Sequence, residues 1–496
     1  MIELFYDLFF VANLATFTAN HEIVNLATLK DYLGFFTILW FTWFETSLFD
    51  VRFSSDSVLE RVCKAISFGV MTGLAATGAE FDTSRAAENS GPLRAMSMIL
   101  MTSRIAMAAQ YGVILWFVKG YRSATVPLGL TILATFLTAM VFLGTSFDFY
   151  HQSARAYIAW YVYSCCEAAA VIAIACWWPV IGFKHTHLVE RVGLLSLIIM
   201  GEGVLGMSKS ISTIFLNSSS VTASDIGVVI AAVLLTYFIW VLYFDQIEHD
   251  RFGAIRQQIW ALLHFPLHVA ILLTVEGSAL LILWNIIGKN LLWLIYHIPM
   301  DATFTQFIPD VFNDPTSLIT YLNDSISQFE TRYKKNELQE TYDYQVDFQE
   351  LGKITAPFGT TTYNDEAGPI CSKIWLQLFS SAFTKFGIEP HVDSAEEDLG
   401  KIGESYGRLL DTVFDYFYIS AGSFLVVLAV MYTFGKVHKT RGEYVSILIR
   451  FLFGAGVALG CLSEHVGDGI NYLFSPWHVP VVVLSYFIGA LQLISI

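Results

Sequence analysis

The chain has 496 residues, 55% hydrophobic and 14% charged, with 40 Phe, 23 Tyr and 12 Trp. That composition is too apolar for a soluble enzyme of this size and describes a polytopic membrane protein. The formal net charge of −15 excludes nucleic acid as a partner, and no basic cluster offers an anchor to anionic lipid.

Apolar runs near twenty residues predict an all-α transmembrane bundle of about twelve helices, over residues 4–19, 32–49, 60–79, 92–117, 126–145, 154–177, 188–207, 226–244, 259–283, 411–434, 444–462 and 477–492. The organisation expected is a first transmembrane half at 1–177, the first part of a second half at 178–288, an acidic extramembrane insert at 289–410 and three closing helices at 411–496. The chain opens directly on ELFYDLFFV without a cleavable signal pattern, which leaves room for native sequence upstream. In the insert, polarity and Pro, Asp and Thr break the apolar pattern, and helix is expected at 317–351 and from Ser394 onward. Its start, Lys289 to Ile298, reads as a short interfacial helix. From Asp301 to Arg408 there are 18 acidic and 8 basic residues, a net of −10, so the membrane part is only mildly acidic. Such a cap favours cations through its field, weakly at physiological salt. Five of the six Cys fall in predicted spans, and no disulfide framework or zinc spacing follows.

Orientation follows from charge. Loops after even-numbered spans hold twelve Lys and Arg: Arg52, Arg61, Lys64, Lys119, Arg122, Lys184, Arg191, Arg251, Arg256, Lys436, Lys439 and Arg441. The short loops opposite hold five: Lys30, Arg85, Arg94, Arg155 and Lys209. Both termini are therefore expected in the cytoplasm of a plasma membrane or endomembrane, with the insert extracellular or lumenal. The two glycosylation sequons, at Asn217 and Asn323, fall on that outer side. The halves also echo each other: Glu3, Asp50 and Glu80 are spaced 47 and 30 apart, Glu190, Asp245 and Glu276 are spaced 55 and 31 apart, and Phe49-Asp50 matches Phe244-Asp245. Six spans per half would make a 6+6 parallel duplication, with a site between the halves; the plain alternative is that membrane helices often end on Phe-Asp.

Carboxylates inside apolar runs mark the candidate chemistry, because an ionised one costs roughly 2.5–3.5 kcal/mol at a helix centre and needs a partner. Glu3 and Asp7 share one face of the first helix and repel, so they call for a cation, a proton or an Arg between them. Arg191 and Glu202 lie eleven residues apart, about 16 Å along a helix, too far to pair. Glu202 sits on a glycine strip, Gly201, Gly203 and Gly206, that admits a close neighbour. His264 and His268 flank Pro266 at helical spacing, which suits a metal, a proton relay or, more plainly, a satisfied core at a hinge. Glu190 and the nearby His185 and His187 read as solvated caps. Glu45, Glu80, Arg104, Glu167 and Arg450 are further intramembrane ionisables, the two arginines being natural countercharges. No phosphate loop, nucleophile elbow, zincin run or dinucleotide fingerprint appears.

ELFYDLFFV, the run His187 to Leu194 (HLVERVGL) with Gly201-Glu202 after it, Leu242-Tyr243-Phe244-Asp245, and the run Trp260 to Leu267 (WALLHFPL) together resemble the low temperature requirement A family of integral membrane proteins. The resemblance covers roughly residues 1 to 288 and extends to the last three helices; the long insert is more like the fungal branch. It implies motif positions at Glu3, Asp7, Glu190, Arg191, Glu202, Asp245 and His264 and growth in the cold, with no settled substrate or reaction.

The expectation is a secondary transporter or ion-permeation protein whose pathway uses Glu3, Asp7, Asp50, Glu190, Arg191, Glu202, Asp245, His264, His268 and Glu276. Glu202, Asp7, Asp245 and Glu276 would line its polar centre, with a buried carboxyl coupling proton or cation movement. No cofactor, metal or catalytic residue is called for; the partners expected are the bilayer and a small solute or cation, and small-residue faces admit a homodimer. The alternatives are a non-transporting sensor or scaffold and an intramembrane lipid-modifying enzyme.

Overall fold

The computed structural model describes the chain except residues 1, 22, 55–56, 85, 87, 89, 152–154, 184–185, 246–253, 299–313, 335–343, 389–398, 436–438, 466–473 and 495–496, and except the side chains of 254, 399–404, 464–465 and 492–494. His185, Lys184, Arg85, Arg251, Lys436 and the 394–398 part of the expected insert helix lie outside the described residues.

The first half contains α1 (Ile2–Asn20), α2 (Leu26–Phe53), α3 (Val58–Gly78), α4 (Ser90–Val118), α5 (Arg122–Tyr150) and α6 (Ile158–Trp177). After a 3-10 turn come α7 (Leu188–Asn217), α8 (Ala223–Phe244), α9 (Ala254–Leu262) and α10 (His264–His297). The insert supplies α11 (Pro315–Glu330), α12 (Gln345–Lys353) and α13 (Thr361–Thr384), and the chain closes with α14 (Leu399–Gly435), α15 (Arg441–Ala458) and α16 (His478–Ile494). Local chemistry sets several of these ends. Asn25 caps α2, its Oδ1 accepting the Ala27 and Thr28 amides at 2.9 and 3.0 Å while Thr28 Oγ1 accepts the Asn25 amide at 3.0 Å. Pro266 has no amide hydrogen to continue the ladder from α9, so the span breaks at Leu263 and Pro266 falls in the first turn of α10, where proline is tolerated.

Among the described residues, the twelve expected spans are corrected to eight by length and apolarity: α1, α4, α5, α6, α8, the joined α9–α10, α14 and α15. The other four segments are helical too. However, α2 carries Lys30, Asp31, Glu45, Asp50 and Arg52, α7 carries Glu190, Arg191, Glu202 and Lys209, α3 carries Glu60, Arg61 and Lys64, and α16 has only 17 residues. The polar helices α2 and α7 run through the interior, where partners offset their charges. Large apolar side chains such as Leu133, Phe136 and Leu137 on α5 and Leu448, Phe451 and Leu452 on α15 are exposed, as a lipid-facing surface requires.

Helix α10 is the axis of the bundle: almost all of it is buried, and it packs on α7, α8 and α14. Its 34 residues rise about 51 Å, well beyond the ~30 Å hydrocarbon core. The expected interfacial helix at Lys289 is instead its continuation, which carries the insert. Tyr321 donates to the His297 carbonyl at 2.7 Å, and Arg332 donates to Asn290 Oδ1 at 2.8 Å and lies over Trp293. The boundaries expected at 288/289 and 410/411 thus fall inside α10 and α14, and α13, 24 residues long, is a further insert helix that the sequence reading did not anticipate.

Candidate functional site

At the end of the bundle that holds the N-terminus, α1, α2 and α7 meet on one buried ion pair. Arg191 grips Asp7 with two nitrogens, Nη1 to Oδ2 at 2.6 Å and Nη2 to Oδ1 at 2.9 Å, and Trp43 Nε1 donates to Oδ1 at 2.7 Å. Asp7 is fully buried and Arg191 is 2% exposed. Arg191 also reaches Ser47 Oγ at 3.4 Å and stands 3.9 Å from Glu3, which contacts His187 at 3.1 Å. Arg191 is therefore the cation between the stacked carboxylates of α1, and it ties α1 of the first half to α7 of the second. Two charges without water are tolerable only with this fork-on-carboxylate geometry and the indole N–H besides.

About 16 Å further along α7 the surroundings reverse. A cavity of about 680 Å³ opens between the second halves of α1 and α7, the middle of α10, the start of α14 and the chain after α13. Glu202 and Glu276 both face it, with Lys209, Asn217 and Lys385 toward the insert and Trp284 on one wall. Glu202 is half-buried and its Oε2 has no hydrogen-bond partner. The glycine strip places these acids. Gly203 lets α10 approach until Val275 occupies the space a Cβ would need, and at Gly206 a Cβ would sit 3.4 Å from Glu276 Oε2. At the rim, burial pushes the Lys385 ammonium below its ordinary range, and its Nζ lies 4.6 Å over the Tyr333 ring.

The two histidines lie away from the cavity, in a dry junction of α2, α7, α8 and α10. An indole N–H can only donate, so Trp40 fixes His268 Nδ1 as acceptor (2.9 Å), and Nε2 then carries the hydrogen to Ser196 Oγ (2.7 Å). A carbonyl can only accept, so His264 Nδ1 donates to Trp260 (2.9 Å) and Nε2 accepts from the Tyr243 hydroxyl (2.8 Å). All four ring nitrogens are engaged, and among the described residues no group of three or more His, Cys, Asp or Glu is placed to hold a metal.

The remaining sequence candidates scatter. Asp50 is buried against Lys64, clamping α2 to α3; Lys64, counted above as a loop charge, is only 2% exposed. Asp245 caps the end of α8 and Glu190 lies in the first turn of α7, both exposed. The centre expected from four acids therefore divides: Glu202 and Glu276 share the cavity, Asp7 belongs to the ion pair, and Asp245 belongs to neither. Asn217 lies at the rim with its carbonyl accepting from the Lys334 amide at 2.8 Å, and Asn323 is exposed on α11. Lys385 and Trp284 carry no sequence signal of their place here, and Trp43 stands out only as the upstream echo of Trp240 between the halves; its position four residues before Ser47 on a polar helix is a further sign, since a buried indole seeks an acceptor.

The family model described as bacterial low temperature requirement A protein (LtrA) matches residues 1–295. Neither curated proteins nor solved structures yield a match. The matched stretch holds the ion pair, the histidine junction and both cavity carboxylates, and stops as α10 leaves the bundle for the insert.

Proposed function

Because this chain belongs to the low temperature requirement A family and carries eight helices able to cross a bilayer, it is an integral membrane protein, and we propose that it is a secondary transporter or ion-permeation protein for a small cation or amine-bearing solute. One observation carries this reading: a cavity inside the helix bundle faced by two carboxylates, one with an oxygen left unpartnered, next to an ion pair that seals the opposite end. A structural carboxylate in so costly a position would be saturated, as Asp7 is. Glu202 and Glu276 receive the cation, and the Asp7–Arg191–Trp43 contact is the closed gate.

The packing order supports a 6+6 parallel repeat. In the first half α1 packs on α3, α3 on α4, α4 on α5, α5 on α6 and α2 on α6; in the second, α7 packs on α10, α10 on α14, α14 on α15, α15 on α16 and α8 on α16. The gate and one wall of the cavity both pair α1 with α7, the first helices of the two halves, so rocking of the halves would open one end as it closes the other. With the termini cytoplasmic, the cavity faces outward beneath the insert, and Asn323 is the better-exposed glycan acceptor. A non-transporting scaffold is the second reading, favoured by the tightness of the α1–α7 ion pair.

The test is flux. Purified protein in liposomes is loaded against sodium, potassium, small amines and anions, with and without a pH gradient. The expected result is movement of a cation or amine that Glu202→Gln abolishes while the variant stays folded. Equal flux in the variant, or silence of the correctly inserted wild type, would overturn the reading.

A further inference from the structure

The first half contains a second charged cluster, reaching α2 two residues from Trp43 and Ser47 but on the opposite face of that helix. Arg104 on α4 meets Glu167 on α6, Nε to Oε2 at 2.7 Å, and the Thr135 hydroxyl of α5 faces the same carboxylate. The two are 0% and 2% exposed. Glu45 on α2 is also 0% exposed, and neither of its carboxyl oxygens has a hydrogen-bond partner; the Arg104 and Glu167 side chains, close enough for an ion pair, likewise make no hydrogen bond of good geometry. The charged and titratable groups that face Glu45 are Glu167, Arg104 and, toward the helix end, Arg52 with Tyr111. Arg52 is already engaged, donating to the Tyr111 hydroxyl at 2.7 Å and the Leu48 carbonyl at 2.8 Å. Two carboxylates thus share one buried arginine. An ionised carboxylate without its own partner is costly in such a place, and holding a proton removes that cost.

We propose that Glu45 is a proton-binding site, with Arg104–Glu167 as its fixed counter-pair, and that the proton coupled to transport is carried here and not in the solute cavity. With Glu45 protonated, the cluster is neutral. On release, the Glu45 O–H bond breaks, the proton passes to a water molecule admitted to the site, and the Nη groups of Arg104 turn to the new carboxylate. That movement draws α2 and α4 together without disturbing the Glu167 contact through Nε, and α2 is the helix whose Trp43 holds the gate acid.

The coupling role rests on the transport reading, whereas the binding site does not, and infrared titration separates them. Protein in detergent is titrated in light and heavy water, and the wild-type spectrum is differenced against Glu45→Gln, with Glu45→Asp as the variant that keeps an acid. The expected result is a carboxylic C=O band that shifts on deuteration, disappears as pH is raised, is missing in Glu45→Gln and is retained at a different midpoint in Glu45→Asp. A band that is unchanged in Glu45→Gln, or one that persists at every pH, would overturn the proposal whatever the flux assay shows.

Discussion

The start and the middle of α7 carry the same chemistry in opposite states. At Arg191 the ion pair is buried, forked and reinforced by Trp43 and Ser47, so that both Asp7 oxygens are engaged; at Glu202 the carboxylate is half-buried beside a second acid, with one oxygen that has no partner. Interiors normally satisfy their polar groups, so the engaged carboxylate reads as a latch and the unengaged one as a place for something to bind. Charge inside a membrane protein is therefore informative only together with its partners.

Breaking the latch has the largest expected effect. Asp7→Ala leaves the buried Arg191 guanidinium with only the distant Glu3 as a countercharge, a loss of about 3–5 kcal/mol, seen as a collapse of the melting temperature and of monodisperse yield in detergent. The double replacement Asp7→Leu with Arg191→Met restores most of that loss, because an apolar pair of similar volume needs no solvation. Next comes the histidine junction. His268→Phe orphans the Trp40 N–H and costs about 1–3 kcal/mol in thermal stability. A smaller loss is expected near the insert, where Lys289 Nζ donates to Thr222 and Ser224 at 2.6 Å each and to Asp225 at 2.5 Å. Its side chain is 32% exposed, so screening reduces the effect of Lys289→Met to about 1 kcal/mol, and Asn285 still donates to Asp225 at 2.6 Å.

The smallest effect is at Asp314, the exposed cap of α11. The Ser317 amide donates to its carboxylate at 2.7 Å and holds its pKa below the ordinary value. A lowered folded value means that the cap's contribution is complete above the ordinary range near 3.9 and fades as pH falls through the folded value. Amide exchange in the first turn of α11 should therefore quicken only on acidification, and Asp314→Ala should make it fast at every pH.

Helices were legible because burial in lipid leaves a local signature: each expected span falls on a helix. Partnerships were not. Asp7 and Arg191 were recognisable as intramembrane charges, yet 184 positions separate them, and Glu45, Arg104 and Glu167 come together from three different helices. Helix α13 is hidden in the sequence because the polarity and Pro, Asp and Thr content of the insert break the apolar pattern, whereas Pro369 is accommodated within the helix. The continuation of α10 is expected as a separate short interfacial helix from Lys289 to Ile298, although no proline interrupts the run from Leu267 to His297. The family motifs marked the right helices without saying which acids meet.

The most direct measurement is thiol accessibility at the two ends, in a cysteine-free background. Thr213→Cys lines the cavity beneath the insert, and Ser47→Cys lies beside Arg191 in the latch. The account predicts rapid labelling of Thr213→Cys by a membrane-impermeant reagent added on the insert side, and labelling of Ser47→Cys slower by orders of magnitude from either side. Equal rates at the two positions, or an unreactive Thr213→Cys, would contradict an open cavity closed at one end by the Asp7–Arg191 pair.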